Sequence, residues 1–76
     1  MTRFFFDYTA KEQSLLDYGG HEFRSPQAAI EFAEAIAHDL KHSLSENWRG
    51  WSVEVRNIAG MRLQSVPVDS PELEAA

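Results

Sequence analysis

Hydrophobic residues follow two different spacings along this chain, one typical of strands and one typical of a helix. In residues 3–8 they occupy every second position, so that Phe4, Phe6 and Tyr8 share one face of an extended segment. This alternation predicts a strand. A polar turn follows, and residues 14–17 are expected to pair back on the first strand as a short second strand.

The segment from residue 25 to residue 48 has the helical spacing. Ser25 can accept hydrogen bonds from the first free N–H groups of a helix, and Pro26 suits the first helical position. The apolar stripe of this predicted helix consists of Ala29, Ile30, Phe32, Ala33, Ile36, Ala37, Leu40 and Leu44. Its polar face carries Glu31, Glu34, His38, Lys41, His42 and Ser45. We expect the helix to end between Asn47 and Gly50.

Two further alternating segments follow the helix and predict a β-hairpin. They span residues 51–57 and 61–68, and the connecting sequence Asn-Ile-Ala-Gly at 57–60 is typical of a type I turn with glycine in the left-handed position. Pro67 has no N–H group to donate, so it restricts the end of the last strand to a sheet edge or a strand terminus.

The predicted order ββαββ indicates an α+β fold, in which one long helix packs on one face of a four-stranded antiparallel sheet. A right-handed crossover favours the strand order 2-1-3-4, and the order 1-2-3-4 with one parallel pair is the alternative. The predicted inner face of the sheet consists of Phe4, Phe6, Tyr8, Trp51, Val53, Val55, Met61 and Leu63. The outer face is expected to be solvated and carries Arg3, Asp7, Ser52, Glu54, Arg56, Arg62 and Gln64, with Phe5 as the apolar exception.

Length and composition narrow the class of protein. The 76 residues are enough for one domain, expected over residues 1–68, and the acidic segment 69–76 is expected to be a disordered tail. The absence of cysteine excludes disulfides, thiol catalysis and thiolate zinc sites, and is compatible with the cytoplasm, where we expect the protein to reside. A net charge of −5 argues against nucleic-acid binding. No apolar segment approaches the ~20 residues of a membrane span.

The polar face of the helix contains a candidate metal site. His38 and His42 are one helical turn apart, and Glu34 precedes them by another turn. Two imidazoles and a carboxylate are ligands that zinc accepts. The competing interpretation is that these histidines interact with the negative end of the helix dipole on a wet surface. We predict no resident cofactor, and only adventitious zinc or nickel at the histidines.

A second group of polar residues surrounds the Gly19-Gly20 pair. Asp17, His21 and Glu22 could bind a ligand or act in acid–base chemistry, but residues beside a glycine turn more often make turn and capping hydrogen bonds. The chain has no phosphate-binding glycine loop and no nucleophile elbow. We therefore predict a protein that is not an enzyme.

Three aromatic residues are candidates for an interface. Phe5 is predicted on the outer face of the sheet, Trp48 near the end of the helix and Trp51 at the start of the next strand. An exposed aromatic residue on a small domain can mark a surface for a second copy, although single exposed apolar residues are common. The leading hypothesis is therefore a non-enzymatic module that forms a homodimer or binds another protein.

The assembled pattern resembles a family of short alphaproteobacterial proteins classed as a domain of unknown function. The resemblance lies in the aromatic start at residues 3–7, the Asp-Tyr-Gly-Gly-His-Glu-Phe sequence at 17–23, the alanine-spaced helix, and the tryptophan-led strand at 51–55 followed by Gly60. It implies a small stand-alone cytoplasmic protein and assigns no catalytic residues.

A looser likeness is to acidic antitoxins of the HicB type. These proteins share an N-terminal hairpin and an alanine-rich helix that begins with Ser-Pro, as at residues 25–29 here. The likeness rests on architecture alone and implies a basic protein partner. Two alternatives to the homodimer therefore stay open: a small metal- or ligand-binding protein that uses the polar helix face, and an antitoxin-like partner of a basic protein.

Overall fold

The computed structural model describes residues 1–69, which form five strands and one helix. In chain order these are β1 (Thr2–Thr9), β2 (Ser14–Leu15), β3 (His21–Phe23), α1 (Pro26–Lys41), β4 (Ser52–Asn57) and β5 (Arg62–Pro67). The predicted tail lies outside the described residues except for its first member, Asp69, whose carboxylate lies 3.4 Å from Arg49 Nε.

The sheet is antiparallel and has the strand order β2-β1-β4-β5, which confirms the predicted α+β class and the preferred order. A second short strand, β3, also pairs with β1, on the side opposite β4. The long central strand β1 therefore has β4 along one side and two short strands, one at each end, along the other. Within residues 1–69 no helix is long and apolar enough to cross a membrane.

Three alanines bring the helix close to the sheet. Ala29, Ala33 and Ala37 follow each other at intervals of four and are almost completely buried. Small side chains at these positions allow the helix backbone to approach the sheet. The remaining buried apolar residues are Phe4, Phe6, Val53, Val55 and Val68. Ser25 caps the helix as predicted, because its Oγ accepts a hydrogen bond from the Ala28 N–H group at 3.2 Å.

The helix is shorter than predicted. It ends at Lys41, and His42 forms the C-cap. Leu44, which was expected in the apolar stripe, is fully exposed. The helix is followed by a segment that contains Ser43, Ser45 and Asn47, residue types whose side chains bond to nearby polar groups and favour turns over helix. One example is the Asn47 Oδ1 atom, which accepts from the Arg49 N–H group at 3.0 Å.

The placement of Met61 on the inner face was wrong. Met61 is 63% exposed because it belongs to the turn between β4 and β5, where its carbonyl accepts from the Asn57 N–H group. The turn uses Gly60 with φ +89, as the sequence predicted. An irregularity after Val55 shifts the pairing by one residue, and Val68 completes the core at the far end of β5.

The outer face of the sheet is also less solvated than expected. Asp7 and Glu54 are buried. Glu54 Oε2 accepts hydrogen bonds from Thr9 Oγ1 at 3.1 Å and Ser65 Oγ at 2.7 Å, and its other oxygen lies 3.4 Å from Arg62 Nε. The polar side chains of this face thus bond to each other across three strands.

Candidate functional site

The Asp-Tyr-Gly-Gly turn fills a gap along the edge of β1. That edge pairs with β3 through residues 2–4 and with β2 through residues 8–9. Between these two segments the Phe6 N–H group donates to Asp17 Oδ2 at 3.1 Å. The side chain of Asp17 therefore replaces a neighbouring strand at the point where neither short strand reaches.

The carboxylate of Asp17 is fully engaged in this role. Its Oδ1 atom accepts from the N–H groups of Gly19 and Gly20, each at 3.1 Å, while Oδ2 accepts from Phe6. Burial raises the pKa of Asp17, but these three backbone donors outweigh that effect and lower its pKa below the ordinary value. Asp17 is thus an ionised structural acceptor, with little capacity left for acid–base work.

The second glycine is required by contact as well as by backbone conformation. Gly20 has φ +70, and a Cβ atom there would lie 2.7 Å from the Phe4 carbonyl oxygen. The same Cβ would lie 3.0 Å from side-chain carbons of Arg3 and Phe5. Gly20 therefore lets the turn lie directly on β1.

A buried ion pair ties this turn to the centre of the sheet. Asp7, with its side chain 1% exposed, accepts from Arg56 Nε at 2.9 Å and from an Arg56 terminal nitrogen at 3.1 Å. Asp7 also accepts from the Asp17 N–H group at 2.9 Å, and Arg56 donates to the Asp17 carbonyl at 3.1 Å. We call Asp7, Asp17 and Arg56 the carboxylate–arginine network.

The network holds its members in their charged forms. Burial raises the pKa of Asp7, but the hydrogen bonds from Arg56 and from the Asp17 backbone, with the charge of Arg56, lower it below its ordinary value overall. The hydrogen bond to Asp7 raises the pKa of Arg56 despite its partial burial. A carboxylate bound on both oxygens by a guanidinium serves as a structural anchor and is a poor general base.

The other two predicted turn residues have separate partners. The His21 ring lies 6.2 Å from the Phe6 ring and 5.5 Å from the Phe32 ring. Glu22 accepts from Arg3 at 3.2 Å on the surface. The predicted ligand group Asp17, His21 and Glu22 is therefore spread over three different sets of contacts.

The three aromatic interface candidates are half-buried. Phe5 lies under the Arg56 guanidinium, whose carbon is 4.7 Å from the ring centroid, and beside Gly20. Trp48 and Trp51 contact each other edge to face with centroids 5.2 Å apart, and Trp48 contacts Tyr8 in the same way at 5.8 Å. All three side chains pack within the fold and present only part of their surface.

The predicted metal residues lie along a groove between α1 and the end of β5. The groove has a volume of about 470 Å³, and Glu34, His38 and His42 line its helix side. Val66 and Val68 line its opposite side. The two imidazole rings are adjacent, with centroids 4.5 Å apart. In residues 1–69 no three His, Asp or Glu side chains converge as a metal-binding group.

The outer edge of β5 is a feature that sequence reasoning did not single out. The Val68 N–H group donates to the Trp51 carbonyl at 2.9 Å. Hydrogen-bonded and non-hydrogen-bonded pairs alternate along an antiparallel ladder. The backbone groups of Val66 therefore also point toward β4, whereas those of Ser65 and Pro67 point outward, away from the sheet. Pro67 was the only sign in the sequence that this strand lies at a sheet edge, since proline has no N–H group and its position on that side needs none.

Comparison with known proteins gives a family without an assigned role. A family model described as a domain of unknown function, DUF6894, matches residues 3–69, which include nearly all of the five strands and the whole helix. Comparisons with curated proteins and with solved structures gave no match. The sequence resemblance to a family of unknown function is thereby confirmed, and the chain belongs to the DUF6894 family of domains of unknown function.

Proposed function

We propose that this chain is a small cytoplasmic interaction module without enzymatic activity, and that it forms a homodimer through the outer edge of β5. The observation that supports this most is the position of β5, a six-residue strand at the end of the sheet. An edge strand presents unpaired N–H and C=O groups that can bind another strand. At the opposite edge, the short strands and the Asp17 turn cover β1.

The available backbone groups are at the middle of the strand. Ser65 directs its N–H and C=O groups outward, while Pro67 contributes only a carbonyl. Within residues 1–69 the backbone hydrogen bonds of β5 run to β4 alone. The outward groups of Ser65 are thus the centre of the free edge.

A second copy of the chain suits this edge because antiparallel pairing of identical strands has two-fold symmetry. When the two-fold axis passes beside Ser65, each Ser65 N–H group donates to the Ser65 carbonyl of the other copy. The same arrangement places the Arg62 end of each strand near the Asp69 end of the other, so that opposite charges meet at both ends. Domains this small commonly gain stability from such association.

The first experiment compares Ser65→Pro with Ser65→Ala by sedimentation over a concentration series. Both variants lose the hydroxyl that donates to Glu54, but only proline removes the outward N–H group. We expect Ser65→Pro to dimerise at least tenfold more weakly than Ser65→Ala, a difference of about 1.4 kcal/mol. Equal dissociation constants, or a wild-type protein that is still monomeric at about 1 mM, would refute the proposal.

The absence of cysteine permits a second, positional test. In the proposed dimer the two Ser65 Cα atoms would lie about 5.5 Å apart, which is a separation that a disulfide can span. Ser65→Cys should therefore cross-link rapidly under mild oxidation. Ser14→Cys, on the exposed β2 strand at the other edge of the sheet, is the matched control and should cross-link slowly. Similar rates for the two variants would contradict pairing through β5.

A further inference from the structure

Two histidines form a close pair at the end of α1. His42 is the C-cap residue, and its N–H group still donates to the His38 carbonyl at 3.2 Å, so that one helical turn separates the two side chains. Their ring centroids are 4.5 Å apart, and the ring planes are inclined at 57°. The pair has no role in the core or in the carboxylate–arginine network.

The separation of the rings agrees with that of two imidazoles on one metal ion. A metal–nitrogen bond of about 2.0–2.1 Å places each ring centroid roughly 3.2 Å from the metal. If the nitrogen–metal–nitrogen angle is 90°, the two ring centroids lie about 4.5 Å apart. If it is the tetrahedral angle, they lie about 5.2 Å apart. The observed 4.5 Å brings the two rings close enough for one metal ion in cis coordination, once a nitrogen of each ring is turned toward it.

The surroundings of the pair leave room for further ligands. Both histidines line the groove beside β5, where water molecules can complete the coordination. Glu34 and Lys41 line the same groove with opposite formal charges, so their effects on a bound cation oppose each other. Because residues 1–69 bring no third ligand to the pair, the affinity of the site is argued from the two imidazoles alone.

We infer that His38 and His42 form a two-imidazole chelate for a divalent transition metal. Such a site suits Cu²⁺ and Ni²⁺, whose square-planar or octahedral coordination accepts two cis imidazoles with water in the remaining positions. The ligands are side chains of one helix in one copy of the chain, whereas the proposed dimer uses backbone groups of β5, which borders the same groove. The two-imidazole site differs from the three-ligand site predicted from the sequence, since Glu34 is not a ligand.

The test is calorimetric titration of the full chain with NiCl₂ in a buffer that does not bind metals. Either single variant, His38→Ala or His42→Ala, should bind nickel at least tenfold more weakly, because a chelate needs both rings. His21→Gln is the matched control, since it removes the remaining histidine and should leave nickel affinity within twofold. Glu34→Gln should likewise have little effect.

The opposite results would overturn the inference. It fails if His38→Ala and His42→Ala retain wild-type affinity, or if the wild-type protein binds no nickel at about 1 mM, since a bidentate site should exceed the affinity of a single imidazole. Proton NMR during titration with Cu²⁺ gives a second measurement, because the paramagnetic ion broadens the resonances of rings that bind it. The ring resonances of His38 and His42 should broaden together, at a lower Cu²⁺ concentration than those of His21. Preferential broadening of the His21 resonances would assign the metal elsewhere.

Discussion

The substitution Asp7→Asn tests whether the carboxylate–arginine network stabilises the fold. The asparagine side chain has nearly the same shape, but it has no charge and directs an NH₂ group toward the Arg56 guanidinium. The Asp7 side chain is 1% exposed and that of Arg56 26% exposed, so the pair is screened only slightly by water. Removing one partner of a buried ion pair costs about 3–5 kcal/mol, and the partial exposure of Arg56 places our expectation near the lower figure.

A loss of about 3 kcal/mol is large for a domain of this size, whose whole free energy of unfolding is about 4–11 kcal/mol. Thermal unfolding should shift down by roughly 12–24 °C, and urea unfolding should show a lower midpoint with an unchanged slope. The control is Glu22→Gln, which makes the same chemical change in the exposed Arg3 pair and should cost less than about 1 kcal/mol. If Asp7→Asn costs no more than this control, the network does not stabilise the fold.

Three further predictions concern the turn, the helix and acid stability. Gly20→Ala should cost at least about 1 kcal/mol more than Gly50→Ala in urea unfolding, because both glycines have positive φ but only at Gly20 would the new Cβ meet the backbone. Ser25→Ala should lower the free energy of unfolding by about 1 kcal/mol, because the N-cap hydrogen bond is lost. Leu44→Ser should change it by less than about 0.5 kcal/mol, because Leu44 is exposed beyond the helix end. The reverse order would contradict the observed helix bounds. The stability advantage of wild type over Asp7→Asn should be complete above the ordinary carboxyl pKa of 3.8 and should decline as the pH falls through the lowered pKa of the folded state. A pH-independent difference between the two proteins would disprove that assignment.

The fold was predictable because a few local signals agreed with one another. The alternation around Phe4 and Phe6, the Ser25-Pro26 start and the alanine spacing each specify an element, and burial of two apolar faces leaves few ways to combine them. The end of the helix was not predictable in this way. Leu44 continues the apolar spacing, but the helix ends before it, in a segment of serine and asparagine residues that favour turns over helix.

The network was not predictable because it depends on contacts between distant parts of the chain. Alternation correctly placed Asp7 and Arg56 on the outer face, where charged residues are normally solvated. Their burial requires the Asp17 turn to lie over that face, and the turn can do so only because Gly20 has no side chain. A pattern within one strand contains no information about which loop covers it.

These structural roles change which residues merit functional study. The Asp-Tyr-Gly-Gly sequence looks functional in isolation, yet its carboxylate and its second glycine are explained by covering the edge of β1. The features that the fold does not require lie on the other side of the molecule, at the His38–His42 pair and the outer edge of β5. Because the chelate uses side chains and the dimer uses backbone groups, Ser65→Pro should leave nickel affinity unchanged and His42→Ala should leave dimerisation unchanged. Sedimentation and calorimetry on these two variants therefore separate the proposals, and a variant that altered both properties would show that metal binding and strand pairing are coupled through their common groove.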